Sequence, residues 1–282
     1  MLMTNHSRQI HYRRFILSSL YVIAIIFSFV TVAKAEEEKP AMDATVATLS
    51  QYIWRGQEMT RNSVVIQPSL TASYKGFSVN FWGNLDTDPY TRTDTSYSSK
   101  WTETDLTLCY SKSFGIVTAG AGYIYYGFAA PNAGAPDPLD SQELYASVGL
   151  NTLLSPTLTV YKEIDHYHQW YFLLGVSHLF KFSDAVGMKL SASASYLKSE
   201  DETTYPEVND NQVPTGDKFN NFHDGVLSAS LPITPMKYVT IAPTVSWIFP
   251  LSDDAKNEMK YRSKDGETDN FLVCGLSLGF AF

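Results

Sequence analysis

The sequence predicts an all-β fold, a single transmembrane antiparallel β-barrel of about 12 strands with short periplasmic turns and long extracellular loops. Three observations predict it: twelve segments alternate apolar and polar side chains, the gaps between them alternate in length, and the chain ends on Phe282. Consecutive side chains of a strand point to opposite faces, so each segment has one apolar and one polar face. With 44% apolar, 18% charged and 14% aromatic residues, the chain is too apolar to be disordered.

The predicted strands are longer than ordinary sheet strands and have the length needed to cross a bilayer at a tilt. They cover residues 43–56, 63–74, 77–86, 102–113, 116–127, 140–151, 156–165, 167–180, 186–198, 224–233, 238–249 and 269–282. The gaps after strands two, four, six, eight and ten are tight, and most of the others are long and polar. An even strand number places both termini in the periplasm, and we expect the chain in the outer membrane of a Gram-negative bacterium. A soluble periplasmic β protein is the alternative.

The first 35 residues predict a secretory signal peptide. They carry three arginines and no acidic residue, then an apolar run over 15–32 and a small-x-small exit ending at Ala35. A basic start, an apolar middle and a small-residue exit are the three parts of such a signal. We expect cleavage after Ala35, a short periplasmic segment over 36–42 and the barrel over 43–282. An uncleaved membrane anchor is the alternative, because the apolar run is almost long enough to span a bilayer.

Charge and cysteine content narrow the classes of partner. Removing residues 1–35 takes away four positive charges and no negative ones, which leaves 17 Lys and Arg against 29 Asp and Glu, a formal charge of −12. A basic patch for nucleic acid is therefore not expected. Export would permit a disulfide, but Cys109 and Cys274 fall on non-neighbouring predicted strands. We expect two unpaired thiols.

The end of the chain and the aromatic residues fit an outer-membrane barrel. The alternating residues Leu276, Leu278, Phe280 and Phe282 look like the C-terminal signal that the barrel assembly machinery reads. Aromatic side chains cluster at the extracellular ends of the predicted strands, as a membrane-interface girdle requires. They are Tyr52, Trp54, Tyr123, Tyr125, Tyr126, Trp170, Tyr171, Trp247 and Phe249. The expected surroundings are outer-membrane lipid and lipopolysaccharide.

The opening of the mature chain resembles the TorF family of porins. The resemblance is carried by SQYIWRG at residues 50–56, QPSLTASY at 67–74 and the strand over 77–86, which contains WGNLD. It covers about the first fifty mature residues, and the rest of the chain matches only as a barrel pattern. The resemblance implies an outer-membrane channel of unknown solute and supplies no catalytic or binding residue. The acidic loop over 199–222 has no match in it.

The predicted inward face indicates a weakly selective channel for passive diffusion of small solutes or ions. Small hydroxyl side chains dominate that face and fixed charge is sparse, whereas a strongly selective pore carries rings of one sign. Acidic loops would tilt the selectivity toward cations. A twelve-stranded lumen is intermediate between filled eight-stranded barrels and open sixteen-stranded porins. The pore-lining candidates are Arg55, Gln67, Asn80, Trp82, Asn84, Asp86, Tyr145 and Lys189.

Arg55 has two interpretations at the predicted rim of the barrel. It could narrow the mouth or contact an anionic solute, or it could have a structural role. In the structural interpretation, which we favour, its guanidinium pairs with Glu58 or binds a lipopolysaccharide phosphate.

Two other classes of function remain as alternatives. One is a plugged structural or adhesive barrel that binds a partner through its long loops. The other is a lipid-modifying enzyme, for which His166, His168 and His178 would be the residues to substitute, although none has a serine placed as a nucleophile. His166 and His168 would also need a third ligand to hold a metal, so a polar hairpin tip is favoured. We expect no catalytic residue, no metal and no cofactor.

Overall fold

Twelve antiparallel strands close into a barrel in the computed structural model, which describes residues 39–89, 100–130 and 137–282. The predicted signal peptide at 1–35 lies outside the described residues. The strands are β1 (Ala41–Leu49), β2 (Val65–Tyr74), β3 (Phe77–Asp86), β4 (Lys100–Phe114), β5 (Val117–Phe128), β6 (Ser141–Leu150), β7 (Thr157–Glu163), β8 (Gln169–Lys181), β9 (Gly187–Ser199), β10 (Asn220–Ser230), β11 (Val239–Pro250) and β12 (Phe271–Ala281). Each strand pairs with the next along the chain, and β12 pairs with β1 to close the ring. The predicted all-β barrel is confirmed.

All twelve predicted strands are present, and the largest difference lies at the end of the first. We predicted a strand over 43–56, but β1 ends at Leu49 and the chain leaves the wall. It then forms a separate two-residue hairpin of Ile53–Trp54 with Gln57–Glu58. A short strand, Ile233–Met236, also pairs with the start of β11.

The pairing register sorts polar and apolar side chains onto opposite faces of the wall. Thr71 of β2 lies opposite Asn80 of β3, while Leu70 lies opposite Phe81. Directly opposed residues of antiparallel strands share a face, so the first pair faces the lumen and the second faces outward. Leu70 and Phe81 are 43% and 53% exposed. This outward apolar surface is the one a transmembrane barrel presents to lipid.

The two ends of the barrel differ in their connections. At the short-turn end, β2 and β3 are joined by Lys75 and Gly76, whose φ angles of 50° and 83° give the twisted turn that tight hairpins prefer. At the long-loop end, the connections fold over and into the barrel. They include a hairpin of Pro206–Val208 with Pro214–Lys218 and a helix, α1, over Asp253–Arg262.

Helix α1 has the residues that a short polar helix needs at its ends. Ser252 caps it by accepting a hydrogen bond from the amide of Ala255 at 3.1 Å. Asp253 and Asp254 lie in the first turn, and basic residues lie in the last, where each charge complements the helix dipole. No helix in the described ranges is long and apolar enough to span a membrane.

Two buried clusters occupy the long-loop half of the barrel. The first joins the inner wall to the loops and consists of Tyr171, Leu197, Tyr205, Phe219 and Ala255. The second joins α1 to β11 and β12 and consists of Ile248, Met259, Phe271 and Val273. The packed core of this molecule therefore sits inside the barrel at one end, under its loops.

Gly122 of β5 lies where the wall has no room for a side chain. A Cβ atom there would lie 2.4 Å from the carbonyl oxygen of Leu108 and 2.5 Å from the ring of Tyr145. We expect Gly122→Ala to lower the free energy of unfolding by about 1–3 kcal/mol through overpacking. The measurement is urea unfolding of the refolded barrel in detergent.

Gly175 of β8 is the matched control, because a Cβ atom there would meet no atom nearer than 4.0 Å. We expect Gly175→Ala to leave stability unchanged or raise it by up to about 1 kcal/mol, since alanine restricts the unfolded chain. Equal losses of stability in the two variants would contradict the packing argument.

Candidate functional site

The tip of the first long loop enters the barrel and carries Arg55 to the inner wall. The hairpin turns through Arg55 and Gly56, whose φ angles are 48° and 76°. A Cβ atom at Gly56 would lie 3.1 Å from the ring of His223 in β10. Glycine therefore permits both the left-handed turn and the close approach of the loop to the wall.

Arg55 forms a buried bidentate ion pair with Glu143 of β6. Both guanidinium Nη atoms donate to the carboxylate at 2.7 Å, and the side chains are 9% and 1% exposed. Tyr126 also donates its hydroxyl to Glu143 at 2.9 Å. The fork of arginine matches a carboxylate best in this geometry. The predicted pairing of Arg55 with Glu58 is wrong, because the loop turn sends Arg55 inward and Glu58 pairs with Arg61 instead.

Three aromatic rings enclose the Arg55 guanidinium. Its Cζ atom lies 4.5 Å from the ring centroid of Trp54, 4.6 Å from that of Tyr161 and 4.3 Å from that of Tyr171. Rings at these distances stabilise a desolvated cation through their quadrupoles. Burial by itself lowers the pKa of Arg55, but the charge and hydrogen bonds of Glu143, together with Tyr126 and Tyr171, outweigh burial and hold the pKa above its ordinary value. Arg55 is therefore a permanent positive charge inside the lumen.

Two further carboxylates of β4 face the same part of the lumen. Glu103 accepts a 3.4 Å hydrogen bond from the hydroxyl of Tyr52. Asp105 is 9% exposed, and its Oδ1 atom accepts no hydrogen bond from any described residue. Arg55 is already matched by Glu143, so Glu103 and Asp105 add two buried carboxyl groups without a described cationic partner to the same region. We call Arg55, Glu103, Asp105 and Glu143 the charged constriction.

A second buried charged cluster ties α1 to the wall. His223 of β10 lies between two carboxylates, 3.0 Å from Asp224 and 3.0 Å from Glu258 of α1. Glu258 also pairs with Arg262. Burial raises the pKa of Glu258, but Arg262 and His223 outweigh burial and leave it lowered. These contacts hold the last long loop inside the barrel.

The predicted pore-lining residues of β2 and β3 face inward beneath the first loop. Gln67 donates to Asn84 at 3.0 Å, and Asp86 accepts a hydrogen bond from Ser63. Gln67, Asn84 and Asp86 are all buried. Trp82 packs against the ring of Tyr52 with centroids 5.6 Å apart. Their contact with a solute stays a prediction.

Three predicted pore-lining residues lie elsewhere on the inner wall. Asn80 donates to Ser69 and Thr71 at 2.8 Å. Tyr145 packs against Tyr161, with ring centroids 5.6 Å apart. Lys189 is exposed near the short-turn end. It lines a cavity of about 270 Å³ together with Ser155, Thr157, Ser177, Ser191 and Ser193. The short-turn half of the lumen is thus open and rich in hydroxyl groups.

Sequence reasoning missed most of the fixed charge in the lumen. We expected it to be sparse, but Glu103, Asp105, Glu143 and Asp224 are buried inside the barrel. The alternation of side chains along β6 could have predicted the inward position of Glu143, because Glu143 lies two residues from Tyr145, for which we predicted an inward side chain. The same alternation, continued to the ends of the strands, places the other acidic residues inside.

Several aromatic residues assigned to the interface girdle lie inside the barrel instead. Tyr52, Tyr126 and Tyr171 are buried, and Trp54 packs over Arg55. Aromatic residues at strand ends serve here as walls for a buried cation. Trp247 does face outward and is 45% exposed, as a girdle residue should be.

The hairpin that carries His166 and His168 is organised by Glu163. This buried carboxylate accepts hydrogen bonds from the four backbone amides of residues 165–168 at 2.6–3.1 Å. Such a carboxylate is occupied by the turn and is not free to hold an ion. No group of three or more potential metal ligands occurs within the described ranges.

The remaining sequence expectations concern the thiols and the end of the chain. Cys109 and Cys274 are both free thiols, so the expectation of no disulfide is confirmed. Leu276, Leu278, Phe280 and Phe282 are all exposed. That they form an assembly signal stays a prediction.

Comparisons with known proteins place the fold among outer-membrane barrels. A family model described as "Bacterial protein of unknown function (Gcw_chp)" matches residues 34–167. No curated protein sequence matches the chain. The solved NanC porin superposes with a TM-score of 0.50 at 8% sequence identity, covering 86% of this chain and 98% of that chain. The likeness shows the fold of a porin-like β-barrel. It does not show that the chain belongs to the TorF family.

Two other solved barrels superpose less closely. The COG4313 outer membrane channel from Pseudomonas putida F1 has a TM-score of 0.46 at 8% identity, covering 89% of this chain and 100% of that chain. LpxR from Salmonella typhimurium has a TM-score of 0.45 at 8% identity, covering 85% and 99%.

The buried ion pair predicts a large loss of stability on removal of its cation. Arg55→Met leaves Glu143 buried without a positive partner, which costs about 3–5 kcal/mol. The free energy of unfolding in urea measures this loss. Arg55→Met combined with Glu143→Leu should recover much of the loss, because it removes both buried charges.

Lys162 provides the control, because its ion pair with Glu200 is partly exposed to solvent. We expect Lys162→Met to cost no more than about 1 kcal/mol. If Arg55→Met costs as little as this control, the Arg55–Glu143 pair does not stabilise the packed half of the barrel.

Proposed function

We propose that this protein is an outer-membrane channel for small solutes or ions, related to the TorF porins, with its long loops outside the cell. The observation that carries the proposal is the arrangement of the lumen. The short-turn end has a hydroxyl-lined space that includes Lys189 and Ser191, and the long-loop end has the charged constriction beneath the loops. A channel needs a wettable passage and groups that discriminate among solutes, and these two regions supply them.

The charge of the constriction supports a preference for cations. Arg55 and Glu143 cancel, which leaves Glu103 and Asp105, with Asp105 Oδ1 without a described partner. At a pH that ionises both groups, low-dielectric walls strengthen the field of these carboxylates at a passing ion. This proposed preference for cations comes from residues of the lumen wall, whereas the sequence analysis attributed it to the acidic loops.

A plugged structural or adhesive barrel is the second candidate. It is favoured by the burial of Phe219, Leu197 and Met259 where the loops fill the long-loop half. The two candidates differ in conductance, since a plug fixed in place passes no current.

The lipid-modifying alternative finds less support, and we propose that the chain is not an enzyme. His178 and His166 lie near opposite ends of the β7–β8 hairpin, and their rings contact the carbonyl oxygens of Leu153 and Asp140. Ser195 donates to Asp224 at 2.7 Å. Both ring nitrogens of the neighbouring His223 contact the carboxylates of Asp224 and Glu258, so no described histidine nitrogen is bonded to the Ser195 hydroxyl as a base.

The channel proposal predicts measurable conductance that depends on β4. In planar bilayers, we expect reproducible current steps and a cation-selective reversal potential under a KCl gradient. At a pH that ionises both carboxyl groups, Asp105→Asn and Glu103→Gln should shift the reversal potential toward anions, because each then removes a negative charge at the constriction.

Glu267→Gln is the matched control, since it removes the same charge from an exposed loop position. We expect it to leave the reversal potential nearly unchanged in high salt, where exposed charges are screened. A change of electrophoretic mobility on boiling shows that the barrel is folded. A folded barrel that passes no current would contradict the channel proposal and favour the plugged barrel.

A further inference from the structure

A small cavity lies beneath the loops at the long-loop end, next to the charged constriction. Its volume is about 130 Å³. One water needs roughly 10–15 Å³, so the space is large enough for a small organic ligand. Five of the eleven residues that line it are aromatic: Trp54, Tyr126, Phe128, Tyr167 and Tyr205.

The aromatic wall offers ring faces in a fixed arrangement. Tyr126 and Phe128 lie nearly parallel, with centroids 6.2 Å apart and planes at 3°. Trp54 meets Tyr126 edge-on at 5.9 Å. Ring faces carry partial negative charge and attract the polarised C–H groups of a saturated ring.

The same cavity contains an unsatisfied hydrogen-bond acceptor. Gln169 of β8 lines it, is 1% exposed, and has an Oε1 atom that accepts no hydrogen bond from any described residue. Leaving a buried carbonyl group without a donor carries a free-energy cost. A ligand hydroxyl or amide would remove that cost on binding.

The charges around the cavity favour a neutral ligand. Arg262 is the charged residue that lines it. Its guanidinium pairs with Glu258, donates to the carbonyl oxygen of Thr204 and stacks over Tyr205 at 4.3 Å. The cation is therefore already neutralised and does not need an anionic ligand.

We propose that this cavity is a binding site for a neutral monosaccharide, with the apolar face of the sugar ring against the aromatic wall and a hydroxyl group donating to Gln169 Oε1. Sugar rings combine both features, since they carry C–H faces and hydroxyl edges. Pockets with mainly aromatic walls and a few placed polar groups are typical of small-molecule sites. The site stands on these contacts and does not require the barrel to conduct.

Calorimetry with defined sugars tests the proposal on the refolded chain. We would titrate glucose, galactose and mannose into the barrel in a detergent without sugar headgroups, and glucuronate as the charged counterpart of glucose. The expected result is saturable binding of at least one neutral hexose. Gln169→Leu should weaken that binding by about tenfold, because a leucine of similar size cannot accept the hydrogen bond.

Gln212→Leu is the control, since Gln212 lies in another loop and does not line the cavity. It should leave the affinity unchanged. A Trp54→Phe chain gives a second readout if Gln169→Leu fails to fold. The neutral hexose should change the tryptophan fluorescence of the natural chain and change it far less in this variant.

Three results would overturn the proposal. The first is no saturable binding of any neutral hexose at up to about 100 mM, far above a millimolar dissociation constant. The second is binding that Gln169→Leu leaves intact. The third is binding of glucuronate ten times tighter than glucose, which would mean that the charge of Arg262 selects the ligand.

Discussion

The ion pair between Arg55 and Glu143 is the interaction on which the interior of this barrel depends. A guanidinium taken out of water needs a carboxylate and further partners around it. Glu143 supplies the charge from the wall, and the rings of Trp54, Tyr161 and Tyr171 supply the surroundings. The pair joins the first loop to β6, so the loop cannot leave the lumen without exposing a buried carboxylate.

The need to pair buried charges also explains why the two halves of the lumen differ. At the long-loop end, loops and wall bring buried charges together, as they bring His223 between Asp224 and Glu258. At the short-turn end, the connections are too short to fold inward, and Ser191 and Ser193 line an open space. A twelve-stranded barrel is wide enough for both arrangements.

The loops that fill the barrel also create its candidate sites. Trp54 belongs to the wall around Arg55 and also to the aromatic cavity. Arg262 of α1 contributes to that cavity and anchors α1 through Glu258. The charged constriction and the proposed sugar site are thus adjacent, so a bound sugar would lie beside the constriction.

Period two and the lengths of the gaps were enough to predict the barrel and its twelve strands, because the alternation of faces is a local property of each strand. The inward positions of Asn80 and Tyr145 followed from the same parity. The pairing of Arg55 with Glu143 could not be predicted from this parity, since Glu143 is 88 residues away. Only barrel closure and the turn at Gly56 bring the two residues together.

The loops had no comparable local signal. Helix α1 is short and polar, and it is held by Glu258 against His223 together with two buried apolar residues, Ala255 and Met259. The unpartnered oxygen of Gln169 exists only because distant segments bury it. Local alternation therefore decides the wall of this protein, whereas burial of charges between segments far apart in sequence decides what fills it.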